Sequence, residues 1–193
     1  MNKQDIMEFF DGLAPSWDDD LVHDDRKINR ILDYADVREG LSVLDVACGT
    51  GVLFPDYLAR NVKRITGVDI SSAMIARAKA KFRDPRILLL AADIEEAAFP
   101  EPFDRAVVYN AFPHFPDPKS LVRCLSGKLA VGGRLTVAHG KGRAMIDSHH
   151  AGTASKVSLG LLREDELAAL LRPYFDVDVT VNDEVYVVSG IKR

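Results

Sequence analysis

Apolar positions along the chain follow two spacings in turn. Ile6, Phe9, Phe10 and Leu13 recur at helical intervals, and Pro15-Ser16 breaks the run. Ile28, Ile31, Leu32 and Ala35 repeat the pattern and predict a second amphipathic helix ending near Gly40. The spacing then changes to short apolar runs at 43–46, 64–68, 87–91, 103–109 and 134–138. The runs 43–46 and 87–91 are of the continuous kind that suits strands buried on both faces. Helical stripes alternate with these strands. One opens after Gly51; another carries Met74, Ile75, Ala78 and Phe82 behind an N-cap at Ser71 or Ser72 and is closed by Pro85. A third carries Leu121, Val122, Leu125 and Leu129 behind Asp117-Pro118, and Gly132-Gly133 turns into the next strand. A helix over 164–172 turns Leu167, Leu170 and Leu171 inward and stops at Pro173; 174–181 and 185–191 then alternate like two antiparallel strands. The expected fold class is α/β: seven strands, mostly parallel, helices on both faces, and an antiparallel C-terminal hairpin.

With 193 residues, 47% of them hydrophobic, one domain is expected over 1–193, with 1–40 as an N-terminal helical cap and 139–162 as a candidate lid. A formal charge of −4 gives no basic excess, so nucleic acid is not an expected partner. Acids interrupt the first residues, and no run approaches the ~20 apolar residues of a membrane span. A cytoplasmic protein without a membrane span is expected. Two cysteines, Cys48 and Cys124, make no disulfide framework and fit a reducing compartment. The acids Asp18, Asp19, Asp20, Asp24 and Asp25 read as a solvated face.

The chemistry concentrates in VLDVACGTG, 43–51, where a buried-type strand runs into a Gly-x-Gly turn and a helix. Such a turn lets backbone approach a ligand at the carboxyl edge of the sheet. A dinucleotide fingerprint needs a third glycine for tight helix-to-strand packing, and Phe54 stands in its place. Asp45, just upstream, suits an ammonium or sulfonium better than a pyrophosphate. Asp69 ends the next apolar run 20 residues beyond Gly49, a distance that suits a ribose diol. Together these features point to S-adenosylmethionine rather than NAD.

At these residues the sequence resembles the class I S-adenosylmethionine-dependent methyltransferases. The resemblance rests on LDVACGTG, VDIS at 68–71, AADI at 91–94, FDRAVVYNAF at 103–112 and LAVGGRLTVAH at 129–139, in the family's order. The opening FFDGLAPSWDDD is similar, more distantly, to the start of the ubiquinone and menaquinone C-methyltransferases, with Trp17 in place of tyrosine. The resemblance implies the Rossmann-like methyltransferase fold. It also implies a cofactor site in which Asp45, Ala47, Cys48, Gly49 and Gly51 form the turn and Asp69, Ile70 and Met74 follow the second strand. Asp93 would take the adenine amino group, Ile94 the adenine face, Asn110 would border the site from the fourth strand, and Trp17 would close over it. Amino-methylating enzymes of nucleobases or glutamine resemble one another in carrying [DN]-P-P-[YF] where this chain has Asn110-Ala111-Phe112-Pro113, so those substrates are not expected.

For the acceptor end, a helical reading of 139–152 puts His139, Arg143, Ile146 and His150 on one face. His139, His149 and His150 are candidates for substrate contact. His at i and i+4 can bind metal, but no acid or cysteine completes a ligand set there, and none is expected. Proton removal is needed only for a nucleophile that carries a proton, and His139, His114 and Tyr109 are the local candidates, with spacing singling out none. The leading expectation is direct in-line methyl transfer to a small-molecule acceptor of unspecified class. Alternatives are an NAD-dependent dehydrogenase and a non-catalytic S-adenosylmethionine binder.

Overall fold

In the computed structural model, which describes residues 2–19, 21–143 and 157–193, the strands form a seven-stranded sheet. They are β1 (Ser42–Val46), β2 (Arg64–Asp69), β3 (Ile87–Ala91), β4 (Phe103–Tyr109), β5 (Leu129–His139), β6 (Phe175–Asn182) and β7 (Tyr186–Lys192), in the order β3-β2-β1-β4-β5-β7-β6. β1 pairs in parallel with β2 and β4, β2 with β3, and β4 with β5, whereas β7 lies antiparallel between β5 and β6. The helices are α1 (Lys3–Leu13), α2 (Asp25–Tyr34), α3 (Phe54–Ala59), α4 (Ser72–Lys81), α5 (Pro118–Lys128) and α6 (Glu164–Leu171).

Side-chain caps start four of these helices, two of them, at Ser71 and Asp117, where the sequence signals it. Side chains of Asn2, Asp24, Ser71 and Asp117 accept hydrogen bonds from the amides of Asp5, Lys27, Met74 and Ser120. Every residue of β1 is buried because both faces of the sheet are covered. Leu44 and Val46 pack with Leu121, Leu125, Leu167 and Leu171 of α5 and α6, while Val43 packs with Ile28, Leu32, Tyr57 and Ile75 of α2, α3 and α4.

Three sequence expectations are corrected. β3 was expected to be buried on both faces, but it forms a sheet edge beside β2, and Leu88 is 50% exposed. The apolar run alone could not distinguish an edge from a centre. β5 begins at Leu129, not at 134, across a register irregularity opposite Phe103 and Arg105, and it extends to His139. α4 ends at Lys81, before Pro85. Among the described residues, no helix is long and apolar enough to cross a membrane.

Candidate functional site

The carboxyl ends of β1, β2 and β4 and the segment after β3 surround one cavity, and α1 with the turn that follows it closes the top. The floor is the glycine turn. Ala47, Gly49 and Gly51 all have left-handed backbones, with φ of 55°, 54° and 87°. Above Gly49, the nearest atom to the place of an added Cβ is Trp17 Nε1 at 3.9 Å, so the turn presents bare backbone to the cavity. Gly51 does not line the cavity. A Cβ there would fall 2.6 Å from the Phe54 ring and 2.8 Å from Phe82. Gly67 in β2 is equally tight, with Phe54 Cζ at 2.7 Å. The hole that admits a bulky ring at the usual third-glycine position is thus made by Gly51 and Gly67, and Gly51 acts in packing where a ligand contact was expected.

Asp69 joins the turn to the sheet. One carboxylate oxygen accepts from Gly49 N at 2.8 Å and the other from Ser71 N at 2.8 Å. Burial pushes its pKa up, and the two amide hydrogen bonds only partly offset that rise. Asp45 is 2% exposed, carries no side-chain hydrogen bond among the described residues, and is pushed well up by burial and then by the nearby Asp69 charge. This end of the cavity therefore favours hydroxyl donors at Asp69 and positive charge near Asp45.

Asp93 and Ile94 line the same cavity as Asp69, Ile70 and Met74. Asp93 is already engaged. Its carboxylate accepts from Lys3 Nζ at 2.5 Å and from Glu95 N at 2.9 Å, and Lys3 also pairs with Glu95 at 2.6 Å. Burial works against the Lys3 charge, but the two carboxylates outweigh it and raise its pKa. Two further polar clasps hold the cap. Asp11 accepts from Ser71 Oγ at 2.5 Å and Ala73 N at 3.1 Å; Asp18 accepts from Thr50 Oγ1 at 2.6 Å and pairs with Lys81 at 3.0 Å and Arg77 at 3.4 Å. Burial opposes the Asp18 charge, yet these partners bring its pKa below the usual value. Asp18 is thus no solvated acid; it ties the cap to the glycine turn.

Tyr109, Asn110 and His114 line the same cavity. Phe10 packs edge-on against Trp17 at 5.7 Å and against His114 at 5.0 Å, forming an aromatic roof. His114 Nδ1 lies 2.7 Å from Val157 O, so the hydrogen sits on Nδ1. Leu159 N donates to Pro113 O at 2.9 Å, which fixes the described end of the candidate lid against this corner. Asn110, at φ 53°, accepts from Gly140 N at 3.0 Å. Burial raises the Tyr109 pKa, so its phenol stays protonated at neutral pH.

Trp17, Ala47 and Cys48 also border the cavity; His139 does not. As the last residue of β5 it is 3% exposed, faces Tyr186 of β7 in register and meets that ring edge-on at 5.9 Å. The helical face expected for His139, Arg143, Ile146 and His150 does not start at His139, because the strand continues through it. Arg143 donates to Leu161 O at 3.0 Å, and Ile146, His149 and His150 lie outside the described residues. Sequence reasoning missed Lys3, Phe10, Leu21 and Val22 as cavity residues. The helical stripe of α1 could have exposed Phe10 as a candidate, but nothing local marks Lys3.

A methyltransferase-domain family profile matches residues 43–133, the stretch that holds the glycine turn, Asp69, Asp93 and β4. Over that stretch, just under half of its length, the chain is similar to methyltransferase domains. An uncharacterized methyltransferase of Mycobacterium tuberculosis strain H37Rv is 38% identical over 96 residues, 49% of this chain and 48% of that protein. A ubiquinone biosynthesis O-methyltransferase of Marinobacter nauticus is 30% identical over 159 residues, 72% of this chain and 64% of that protein. The chain spans about half the length of the first curated relatives it matches. In structure, the chain shares its fold with magnesium protoporphyrin IX methyltransferase from Synechocystis PCC 6803, solved with bound S-adenosylhomocysteine, with a TM-score of 0.73 at 14% identity over 99% of both chains.

Proposed function

We propose that the chain transfers a methyl group from S-adenosylmethionine directly to a small-molecule acceptor. The observation that carries this reading is the Asp69 bridge: the carboxylate suited to a sugar diol is hydrogen-bonded to Gly49, and both border one cavity with Asp93, Tyr109 and His114. The fit to the cofactor is chemical. Bare backbone at Gly49 would take the amino-acid end, Asp45 the positive charge, Asp69 the ribose hydroxyls, and Asp93 with Ile94 the adenine.

S-adenosylmethionine supplies a methyl group already activated on a sulfonium, so the protein needs no covalent intermediate. What remains is positioning, which can lower a barrier by ~7–11 kcal/mol. Phe10 and Trp17 roof the cavity. His114, whose Nδ1 donates to Val157 O, is the local base candidate for an acceptor that must lose a proton, and Tyr109 acts as a neutral hydrogen-bond donor. A small-molecule acceptor agrees with the ubiquinone-pathway name of one relative and with the aromatic roof.

The test is calorimetric binding of S-adenosylhomocysteine and NADH to the chain, followed by tritium transfer from methyl-labelled donor into a panel of quinol, thiol, amine and carboxylate acceptors. S-adenosylhomocysteine should bind and NADH should not. The reverse preference would replace this reading with a dehydrogenase.

A further inference from the structure

Beside the cavity rim, the segment that joins α1 to α2, the start of α2, and α3 bring together three groups that take no part in the proposed transfer. His23 Nε2 lies 3.3 Å from Asp25 Oδ1 and 3.3 Å from Asp56 Oδ2, and the three atoms all fall within 4.8 Å of one another. Asp56 is 9% exposed, and its Oδ2 accepts no hydrogen bond among the described residues although it faces His23. The imidazole is thus close to the buried carboxylate but out of line for an N–H···O bond. No lysine or arginine among the described residues pairs with Asp25 or Asp56, so two carboxylates share one imidazole and the cluster is deficient in positive charge.

Two donors that share a cation show the spacing observed here. Tetrahedral zinc, with Zn–N and Zn–O bonds of ~2.0–2.2 Å, sets neighbouring ligand atoms about 3.3–3.5 Å apart. One nitrogen and two oxygens suit a borderline ion such as Zn²⁺ better than Mg²⁺ or Ca²⁺, which prefer all-oxygen shells. We infer that His23, Asp25 and Asp56 form a divalent-metal site with zinc-like preference, completed by water. Val22, next to His23, and Leu53, one turn before Asp56 on α3, both line the cavity, so the ion would tie the cap segment to α3 at the rim. The inference does not depend on the methyltransferase reading.

Zinc titrated into the full chain, followed by calorimetry and by thermal unfolding without any cofactor, tests it. Zinc should raise the unfolding midpoint, and EDTA should reverse the rise. His23→Ala and Asp56→Asn should each weaken zinc binding by roughly a hundredfold or more, beyond the ~10–100-fold usual for groups that only orient a ligand. The double change His149→Ala and His150→Ala should leave it unaltered, which separates binding at His23 from binding at the adjacent histidine pair of the sequence. Cobalt absorption provides a check that does not depend on the stability of Asp56→Asn: tetrahedral d–d bands should appear in the parent chain and vanish in His23→Ala. A midpoint that zinc does not move, or a rise that persists in His23→Ala, overturns the inference.

Discussion

Asp69→Asn separates the two jobs assigned to one carboxylate. In the parent chain its two oxygens accept from Gly49 N and Ser71 N, each at 2.8 Å. Asparagine has one carbonyl oxygen, so one of those amides must face an NH₂ group. A hydrogen bond to a charged acceptor contributes about 1.5–3 kcal/mol, and relief of the carboxylate's burial cost returns part of it. We expect a net loss of about 1–2 kcal/mol, which for a chain of this size lowers the unfolding midpoint by roughly 2–8 °C. The same change removes the charge offered to the sugar hydroxyls, another ~1.5–3 kcal/mol, which corresponds to a loss of about 10–150-fold in S-adenosylhomocysteine affinity. Differential scanning calorimetry of the ligand-free variant reads the first effect, and titration calorimetry below its midpoint reads the second. If the midpoint falls and affinity holds, Asp69 only staples the turn. If both are unchanged, the Gly49–Asp69 bridge has no energetic meaning and the proposed site would fall with it.

Asp45→Asn should stabilise the ligand-free chain at neutral pH. The folded pKa of Asp45 lies above its unfolded value, so the folded state binds the extra proton; stability is highest below the unfolded pKa and falls as pH rises through the folded one. The variant should therefore gain most at neutral pH and nothing in acid, as read from midpoints across a pH series, while it loses cofactor affinity. Lys3→Ala should raise S-adenosylhomocysteine affinity, because it frees Asp93 from its lysine; unchanged affinity by calorimetry would mean that Asp93 does not meet the ligand. Gly67→Ala puts a methyl 2.7 Å from Phe54 Cζ and should cost about 1–3 kcal/mol in denaturant unfolding, with Phe54→Leu restoring part of it.

Much of the plan was legible because local signals agreed with one another. The strand runs, the Ser71 and Asp117 caps and the alternating tail each specified an element, and the Gly49 turn with Asp69 specified where ligand chemistry should sit. Other features depended on distant partners. A run of acids looks solvated until Thr50, 32 residues from Asp18, is seen to donate to it. The helical reading of 139–152 includes His139 because four-residue spacing is easy to find among polar residues, whereas strand pairing with β7 holds it in β5. One signal was available and unused: a glycine inside the apolar strand ITGVD marks a close approach, here by Phe54.

The way the cap is fastened bears on how the cavity fills. Lys3, Asp11 and Asp18 hold it at three separated points, each involving a charged group, while the ring contacts of Phe10 and Trp17 leave Trp17 38% in solvent. Fasteners of this kind loosen with ionic strength, since dissolved ions screen partly exposed pairs beyond about 8–10 Å and compete for them at contact. Salt should therefore set the pace at which small molecules enter and leave, and the sheet beneath, built on apolar packing, should scarcely notice.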